Sequence, residues 1–239
     1  MDMPAVGGEE AATNEAQLEV PPRVPLRDAA LAAAVARLPL IAGEGTWVRT
    51  VPADYLSKAP PGSASGTPPN PLWPGGTYLT EARYIPQGMC NAYHIADGVS
   101  TAFAEFEQRA ERESHPVFGV PHTDVVTLLV GWKLNGILDL CDDDVRVQLG
   151  VDEKALVSLS ALFDAIEQTG DPDAETITQA IGRAAFARTD VVAIRYPSAR
   201  RAGGMNLVVF TDRLVAGGDQ FLETRDPARG QRFRIPPTY

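Results

Sequence analysis

The feature that most constrains the fold is the stretch 125–132, Val-Val-Thr-Leu-Leu-Val-Gly-Trp, which is apolar at both alternating sets of positions. Successive side chains of a β-strand point to opposite faces of a sheet. A strand that is apolar on both faces must be covered on both, so it belongs near the middle of a sheet. A second strand is predicted immediately after it, over 136–140. The chain is therefore expected to fold around a sheet.

The other elements mix helices and strands without the strict alternation of a doubly wound fold. Apolar residues at helical spacing, such as Leu31, Val35 and Leu38, predict helices that cover the sheet. The sequence therefore predicts an α+β fold. The predicted helices cover 29–37, 100–113, 142–150, about 154–168 and 176–188, and the other predicted strands cover 45–51, 77–84, 92–95, 191–194, 205–210 and 232–235.

The chain of 239 residues is predicted to form one folded domain, residues 26–239, after a disordered tail, residues 1–25. The tail combines Gly, Glu, Ala and Pro without an apolar period. Residues 57–76 are rich in Pro and Gly and predict a long surface loop. Such a loop either covers a pocket as a lid or is an insertion without a role, and both interpretations stay open.

Charge and composition exclude several classes of function. The formal net charge is -10, with 31 acidic and 21 basic residues, so a nucleic-acid partner is not expected. No apolar run is long enough to span a membrane, and the acidic N-terminus is not a secretory signal. We therefore expect a cytoplasmic protein.

No metal site is expected either. Cys90 and Cys141 have no metal-ligand spacing and are expected to be reduced, and the three histidines do not follow a zinc pattern. The acidic run 142–144 is better explained as the start of a helix than as a cation site.

Two arginines and one tyrosine are candidates for ligand binding. Arg49 shares a strand face with Trp47, and Arg83 ends a predicted strand at a turn, where guanidinium groups can bind phosphate or carboxylate. A salt bridge would explain Arg49 equally well. Tyr93 offers a flat ring and one hydroxyl to a ligand, or it is a core tyrosine.

Two glutamates and one serine are candidates for catalysis. Glu105 and Glu107 flank the apolar stripe of the helix predicted over 100–113, and spacing alone does not choose between them. Ser198 lies in a loop between two predicted strands. Its hydroxyl either contacts a ligand or closes a turn.

Taken in order, these segments resemble the RES-domain toxins, a family named for an arginine, a glutamate and a serine. The resemblance spans roughly residues 45–212 and rests on several ordered motifs. In Glu81-Ala82-Arg83-Tyr84, Glu81 and Ala82 replace the glycines of the family's Gly-Gly-Arg-aromatic segment. The other matching motifs are Trp47-Val48-Arg49, Ala92-Tyr93, Thr101-Ala102-Phe103-Ala104-Glu105, Pro197-Ser198-Ala199-Arg200 and Asn206-Leu207-Val208-Val209-Phe210.

The resemblance implies a fold similar to that of ADP-ribosyltransferases, with a mixed or antiparallel split sheet, and NAD+ as the substrate. It implies that Glu105, Arg83, Tyr93 and Ser198 are catalytic. It also implies that NAD+ is bound by Arg49, Arg83, Tyr93, Ser198 and Asn206.

The reaction implied is cleavage of the nicotinamide–ribose bond by the toxin of a type II toxin–antitoxin pair. The acceptor of ADP-ribose is water, phosphate or a cell protein, and the sequence does not choose among them. The implied partner is a cognate antitoxin that covers the active site. The replacement of the glycines by Glu81 and Ala82 keeps an alternative open, a non-catalytic NAD- or partner-binding module on the same fold.

Overall fold

The computed structural model describes residues 25–56, 70–74, 82–113, 124–158, 175–226 and 230–236, with the side chains of 108–113 left out. The predicted tail, except residue 25, and most of the predicted loop at 57–76 lie outside these ranges. The α-helices are α1 (Asp28–Val35), α2 (Val99–Glu113), α3 (Asp143–Leu149), α4 (Glu153–Val157) and α5 (Ile177–Ala187). The strands are β1 (Ile41–Pro52), β2 (Ala92–Ala96), β3 (Val125–Asp139), β4 (Ala193–Pro197), β5 (Met205–Phe210), β6 (Phe221–Arg225) and β7 (Arg232–Ile235).

The described strands form one seven-stranded mixed sheet in the order β1-β2-β5-β4-β3-β6-β7, with a further pairing of β1 with β3. The pairing therefore runs from β1 through β2, β5, β4 and β3 and returns to β1. Only β3 and β4 pair in parallel among the described strands. Strand β1 occupies one edge of β3. Strands β4 and β6 share the other edge of β3, with β4 beside 137–139 and β6 beside 130–133, and this splits the sheet. The predicted α+β class is confirmed.

The central strand is longer than predicted. Residues 125–132 and 136–140 were predicted as two strands, but one strand, β3, runs from Val125 to Asp139 and pairs with β1 along this length. Gly136 lies inside it at φ 104, and a Cβ atom there would lie 2.1 Å from the Asp190 carbonyl oxygen. The glycine therefore allows a close approach of the chain and does not end the strand. Strand β6 was not predicted.

Each face of the sheet has its own core. We call the face under the helices the helix face. Its core joins Ala92, Tyr196 and Val208 to side chains of α1, α3 and α5. The inner face carries the alternate residues, such as Tyr93 and Leu207, in a second core made by strands and Leu72.

Strand β3 is covered on both faces only near its end, at 137–139. The prediction that 125–132 is covered on both faces was wrong, since Leu129 is 65% exposed on the helix face, beyond the reach of the helices.

Helix α2 packs on the helix face at the junction of β1 and β2. Val48 pairs with Ala96 in the sheet, and both contact Ala102 of α2. This contact fixes the helix above the ends of β2 and β5. Glu105, one turn further along α2, is thereby carried toward the same part of the sheet.

Residues 82–85 form a tight turn closed by hydrogen bonds between Ala82 and Ile85, and the prediction of a strand reaching Tyr84 was wrong in this part. The turn packs closely on α5, because a Cβ atom at Gly182 would lie 1.7 Å from the Tyr84 carbonyl oxygen. This contact fixes the position of Arg83. Within the described ranges, none of the helices has the length and apolar character needed to cross a membrane.

Candidate functional site

Two polar side chains from separate elements donate hydrogen bonds to one carboxylate, that of Glu105. Glu105 on α2 accepts hydrogen bonds at Oε1 from Ser198 Oγ (2.7 Å) and from Asn206 Nδ2 (2.9 Å). Ser198 and Asn206 are buried, whereas Glu105 is half-buried. Within the described residues, Glu105 Oε2 accepts no hydrogen bond and stays available to a ligand. We call this group the Glu105 cluster.

The loop between β4 and β5 holds Ser198 in a fixed orientation. The Ser198 hydroxyl accepts hydrogen bonds from the backbone N–H groups of Arg200 (3.2 Å) and Arg201 (3.1 Å). Because its lone pairs face these donors, its proton goes to Glu105. The Ser198 hydroxyl therefore orients the carboxylate and closes the turn. Its contact with a ligand stays a prediction.

Gly204 closes this loop against α2. Its carbonyl oxygen accepts from the Ser198 N–H at 2.8 Å, and a Cβ atom on Gly204 would lie 2.7 Å from Thr101 Oγ1. Asp97 adds a second tie, since its Oδ2 accepts from the Met205 N–H at 3.0 Å. The loop and the helix that carry the two main side chains are thus held in direct contact.

Arg83 and two tyrosines border the Glu105 cluster. Burial raises the pKa of Tyr196, the nearby Glu105 raises it further, and Arg83 opposes the rise. Burial also raises the pKa of Tyr84 well above its usual range, with Tyr196 adding to the rise. The two rings lie 4.5 Å apart. Both tyrosines are therefore uncharged at neutral pH, beside a carboxylate and a guanidinium.

Arg83 itself is anchored by backbone. Its Nη1 donates to the carbonyl oxygens of Leu156 (2.7 Å) and Ser158 (3.4 Å), at the end of α4. Its charge is therefore fixed in place and its remaining N–H groups can face a ligand. The Tyr84 hydroxyl, which is buried, has no hydrogen-bond partner within the described part of the chain.

Arg49 and Tyr93 form a separate group on the inner face. The Arg49 guanidinium lies 4.1 Å above the centre of the Tyr93 ring and 5.5 Å from that of Tyr55. Its Nη1 makes a long hydrogen bond, 3.5 Å, to the Trp73 carbonyl oxygen. The Tyr93 hydroxyl donates to the Pro71 carbonyl oxygen at 3.0 Å. Tyr93 is completely buried in the inner core with Leu207, whereas Asn206 points to the opposite face, so Tyr93 does not face the Glu105 cluster.

His94, which the sequence did not single out, lies on the helix face. Its neighbours Tyr93 and Ile95 belong to the inner core, and period-two alternation turns His94 to the opposite side. Its Nδ1 lies 3.3 Å from the Tyr196 hydroxyl. The alternation of side chains between the two faces of the strand at 92–96 could have identified His94, because it places His94 on the face opposite to Tyr93.

The structure also distinguishes the two candidate glutamates. Glu107 is exposed, whereas Glu105 is half-buried and bonded by two donors. Cys90 and Cys141 are free, and burial raises the pKa of each thiol to about 12, so neither is a thiolate at neutral pH. The described residues contain no group of His, Cys, Asp and Glu that could hold a metal ion.

The Glu105 cluster suits stabilisation of a positive charge that develops on a bound ligand. A carboxylate held by two donors keeps its orientation while a ligand reacts, and it needs no reorganisation. The nearby Arg83 suits an anionic part of the same ligand.

Comparison with known proteins identifies the fold and the family. A structural match covers 87% of this chain and 93% of a chain in the crystal structure of the M. tuberculosis MbcT-MbcA toxin-antitoxin complex, with a TM-score of 0.58 and 19% sequence identity. At this identity the match shows a shared fold. No curated protein matches the sequence. The family model described as the RES domain matches residues 58–231, which contain Arg83, Glu105, Ser198 and Asn206. The chain therefore belongs to the RES domain family.

Proposed function

We propose that this protein is the toxin of a toxin–antitoxin pair and that it cleaves the nicotinamide–ribose bond of NAD+. The observation that carries the proposal is the Glu105 carboxylate, fixed by Ser198 and Asn206 with Oε2 available. Membership in the RES domain family supports it.

The chemistry of NAD+ fits a site of this kind. Nicotinamide in NAD+ is cationic, so it leaves without a proton from a general acid. The C1′–N bond breaks, its electron pair moves to the ring nitrogen, and positive charge develops on the ribose as in glycoside cleavage. Glu105 stabilises that charge. An acceptor oxygen then bonds to C1′ and loses its proton if it carries one.

The arginines account for the anionic part of the substrate. Arg83 is fixed near Glu105, and charge-assisted hydrogen bonds contribute about 1.5–3 kcal/mol each. Arg49, supported by the Tyr93 ring, lies on the inner face, apart from the Glu105 cluster. Its assignment to the pyrophosphate or adenylate end rests on the family resemblance. In this assignment Tyr93 acts through Arg49, and Ser198 and Asn206 act through Glu105.

The acceptor is water, phosphate or a side chain of a cell protein. The first two make the protein an NAD+ glycohydrolase or phosphorylase, and the third makes it a mono-ADP-ribosyltransferase. A cognate antitoxin that covers the Glu105 cluster would keep the toxin inactive, and the similar structure is that of a toxin-antitoxin complex. The alternative function is a non-catalytic NAD- or partner-binding module, favoured by Glu81 and Ala82 in place of the family's glycines.

The test is to incubate the purified protein with NAD+ carrying a label in its adenylate half, with and without phosphate and with and without cell lysate. Free ADP-ribose indicates hydrolysis, its phosphorylated product indicates phosphorolysis, and label on a protein band indicates transfer. Growth arrest on expression in cells is expected in all three cases. Absence of all three labelled products under all conditions would exclude the catalytic proposal and leave the binding module.

Replacing Gly204 by Ala is expected to lower kcat/KM for NAD+ about tenfold. The added Cβ atom would meet Thr101 Oγ1 at 2.7 Å and Thr101 Cγ2 at 3.0 Å, which separates the loop from α2 and lengthens the Ser198–Glu105 hydrogen bond. A misplacement of this kind is costly because the reacting groups need fixed geometry. Steady-state kinetics measures the effect.

Thr101→Ala provides the control for this prediction. The Thr101 hydroxyl is buried without a partner among the described residues, so its removal alone is expected to change kcat/KM less than threefold. The double variant should recover most of the activity, since it removes the atoms that clash. A double variant as impaired as Gly204→Ala would contradict the steric explanation.

A further inference from the structure

We infer that His94 is a positioning residue of the Glu105 site: it accepts a hydrogen bond from the Tyr196 hydroxyl and so orients the phenol oxygen, and its protonation reverses that hydrogen bond. The inference rests on the proposed function for its ligand, NAD+. It concerns a residue that carries no role in the reaction described above.

His94 and Tyr196 lie in neighbouring rows on the helix face of the sheet. Asn206 of β5 pairs with Tyr196 of β4 and with Ala96 of β2, so these three residues form one row across the strands. His94 lies two residues before Ala96 on the same face of β2 and pairs with Val208, so it belongs to the next row. Its imidazole therefore meets the Tyr196 hydroxyl diagonally across β5.

The His94 imidazole contacts the Tyr196 hydroxyl directly. His94 Nδ1 lies 3.3 Å from the Tyr196 hydroxyl, and a neutral imidazole without a proton on Nδ1 accepts a hydrogen bond there. Because burial and Glu105 raise the pKa of Tyr196, its hydroxyl keeps the proton needed to donate. The pair therefore requires the neutral tautomer of His94 with its proton on Nε2, and this tautomer fixes the orientation of the Tyr196 hydroxyl.

Charged groups surround Tyr196. Among the described residues they are Glu105 on α2 and Arg83 in the 82–85 turn, with the uncharged Tyr84 and Cys141 close by. A protonated imidazole carries a proton on Nδ1, so it donates to the Tyr196 oxygen and no longer accepts from it, which turns the hydroxyl proton away from His94. It also adds a positive charge where the cationic nicotinamide and the developing ribose cation are to be stabilised. Protonation of His94 is therefore expected to oppose both orientation and catalysis.

The ligand group that suits the Tyr196 hydroxyl is uncharged and polar. A ribose hydroxyl or the carboxamide of nicotinamide can pair with a phenol oxygen of fixed orientation. The Tyr196 hydroxyl thus complements Arg83, which suits the anionic part of the dinucleotide.

The experiment compares His94→Phe, His94→Asn and Tyr196→Phe with the wild-type protein, using kcat/KM for NAD+ from pH 5 to 8.5. Asn offers an acceptor near the position of Nδ1 but does not titrate. At pH 8 we expect about a tenfold loss in His94→Phe and in Tyr196→Phe, the value of one lost hydrogen bond. His94→Asn should stay within about threefold of wild type.

The pH profile separates positioning from simple packing. Wild-type activity is expected to fall toward acid pH, and in His94→Asn this fall should be lost or displaced. The double variant of His94→Phe and Tyr196→Phe should be no worse than either single variant, since both remove the same contact. An unchanged His94→Phe, a His94→Asn as impaired as His94→Phe, or a wild-type acid limb retained in His94→Asn would overturn the inference.

A second measurement does not depend on turnover. Nitrogen-15 NMR of the imidazoles in the free protein identifies the His94 signal by its loss in His94→Asn and reports which nitrogen carries the proton. We expect an unprotonated Nδ1 at pH 8 and a shifted signal in Tyr196→Phe. A protonated Nδ1 would overturn the pair. If the wild-type protein does not cleave NAD+, the proposed function fails while this measurement still decides the His94–Tyr196 contact.

Discussion

Replacement of Glu105 by Gln is expected to lower kcat for NAD+ cleavage about a hundredfold. Gln keeps the size of the side chain and can still accept from Ser198 and Asn206 through its carbonyl oxygen, but it carries no charge to stabilise the ribose cation. Loss of one preorganised electrostatic group costs on the order of 3 kcal/mol in the barrier. Release of nicotinamide under saturating NAD+ measures the change.

Glu107→Gln is the matched control for this prediction. Glu107 lies two residues further along the same helix, has the same chemistry and is exposed. It is expected to keep kcat within about twofold of wild type, as surface substitutions generally do. In cells, growth arrest should be lost with Glu105→Gln and retained with Glu107→Gln. If the two variants were equally active, the assignment of the charge-stabilising role to Glu105 would be excluded.

The ordered motifs contained more information about the site than the periodicities did. Ser198 lies 93 residues after Glu105, and Asn206 lies 101 residues after it. Both nevertheless bond to the same oxygen of the Glu105 carboxylate. Helical spacing alone left Glu105 and Glu107 equivalent, because both flank the apolar stripe. Only the position of α2 over Ala96 and Val48 distinguishes them, and that is a tertiary contact.

Tyr93 illustrates what residue type alone cannot predict. A tyrosine beside a histidine on a short strand is the more obvious stacking partner, but alternation places the two on opposite faces. Which face meets α2 depends on the pairing of β2 with β1 and β5, which is not encoded locally. Strand pairing also decides the position of Arg49. The strand face of Arg49 was predicted, but its separation from the Glu105 cluster was not.

Glycines gave the least reliable signals, because a glycine that ends a strand and one that admits a neighbouring chain look alike in sequence. Gly136 was interpreted as the start of a new strand although it lies inside β3. Gly182 lies within α5, where glycine is unfavourable by about 1 kcal/mol relative to alanine. Its presence there is explained by the backbone of Tyr84, a contact that no local pattern predicts.

Gly182→Ala is therefore expected to destabilise the protein, although alanine is the better helix former. The Cβ atom would lie 1.7 Å from the Tyr84 carbonyl oxygen and 2.7 Å from its carbonyl carbon, so the turn at 82–85 must move. Overpacking of this kind costs about 2–3 kcal/mol, more than the gain in helix propensity. The net loss is about 1–2 kcal/mol, so for a chain of this size the Tm should fall by about 2–8 °C. Thermal unfolding followed by circular dichroism measures it.

The same displacement is expected to reach the site, because Arg83 and Tyr84 are carried by the turn that moves. Activity of the folded variant should fall together with its Tm. Gly98→Ala serves as the control, since a Cβ atom at Gly98 would meet nothing within 4 Å and stability should change by less than about 1 kcal/mol. A rise in Tm for Gly182→Ala would mean that helix propensity outweighs the contact, and the close packing of the turn on α5 would not be what fixes Arg83 beside Glu105.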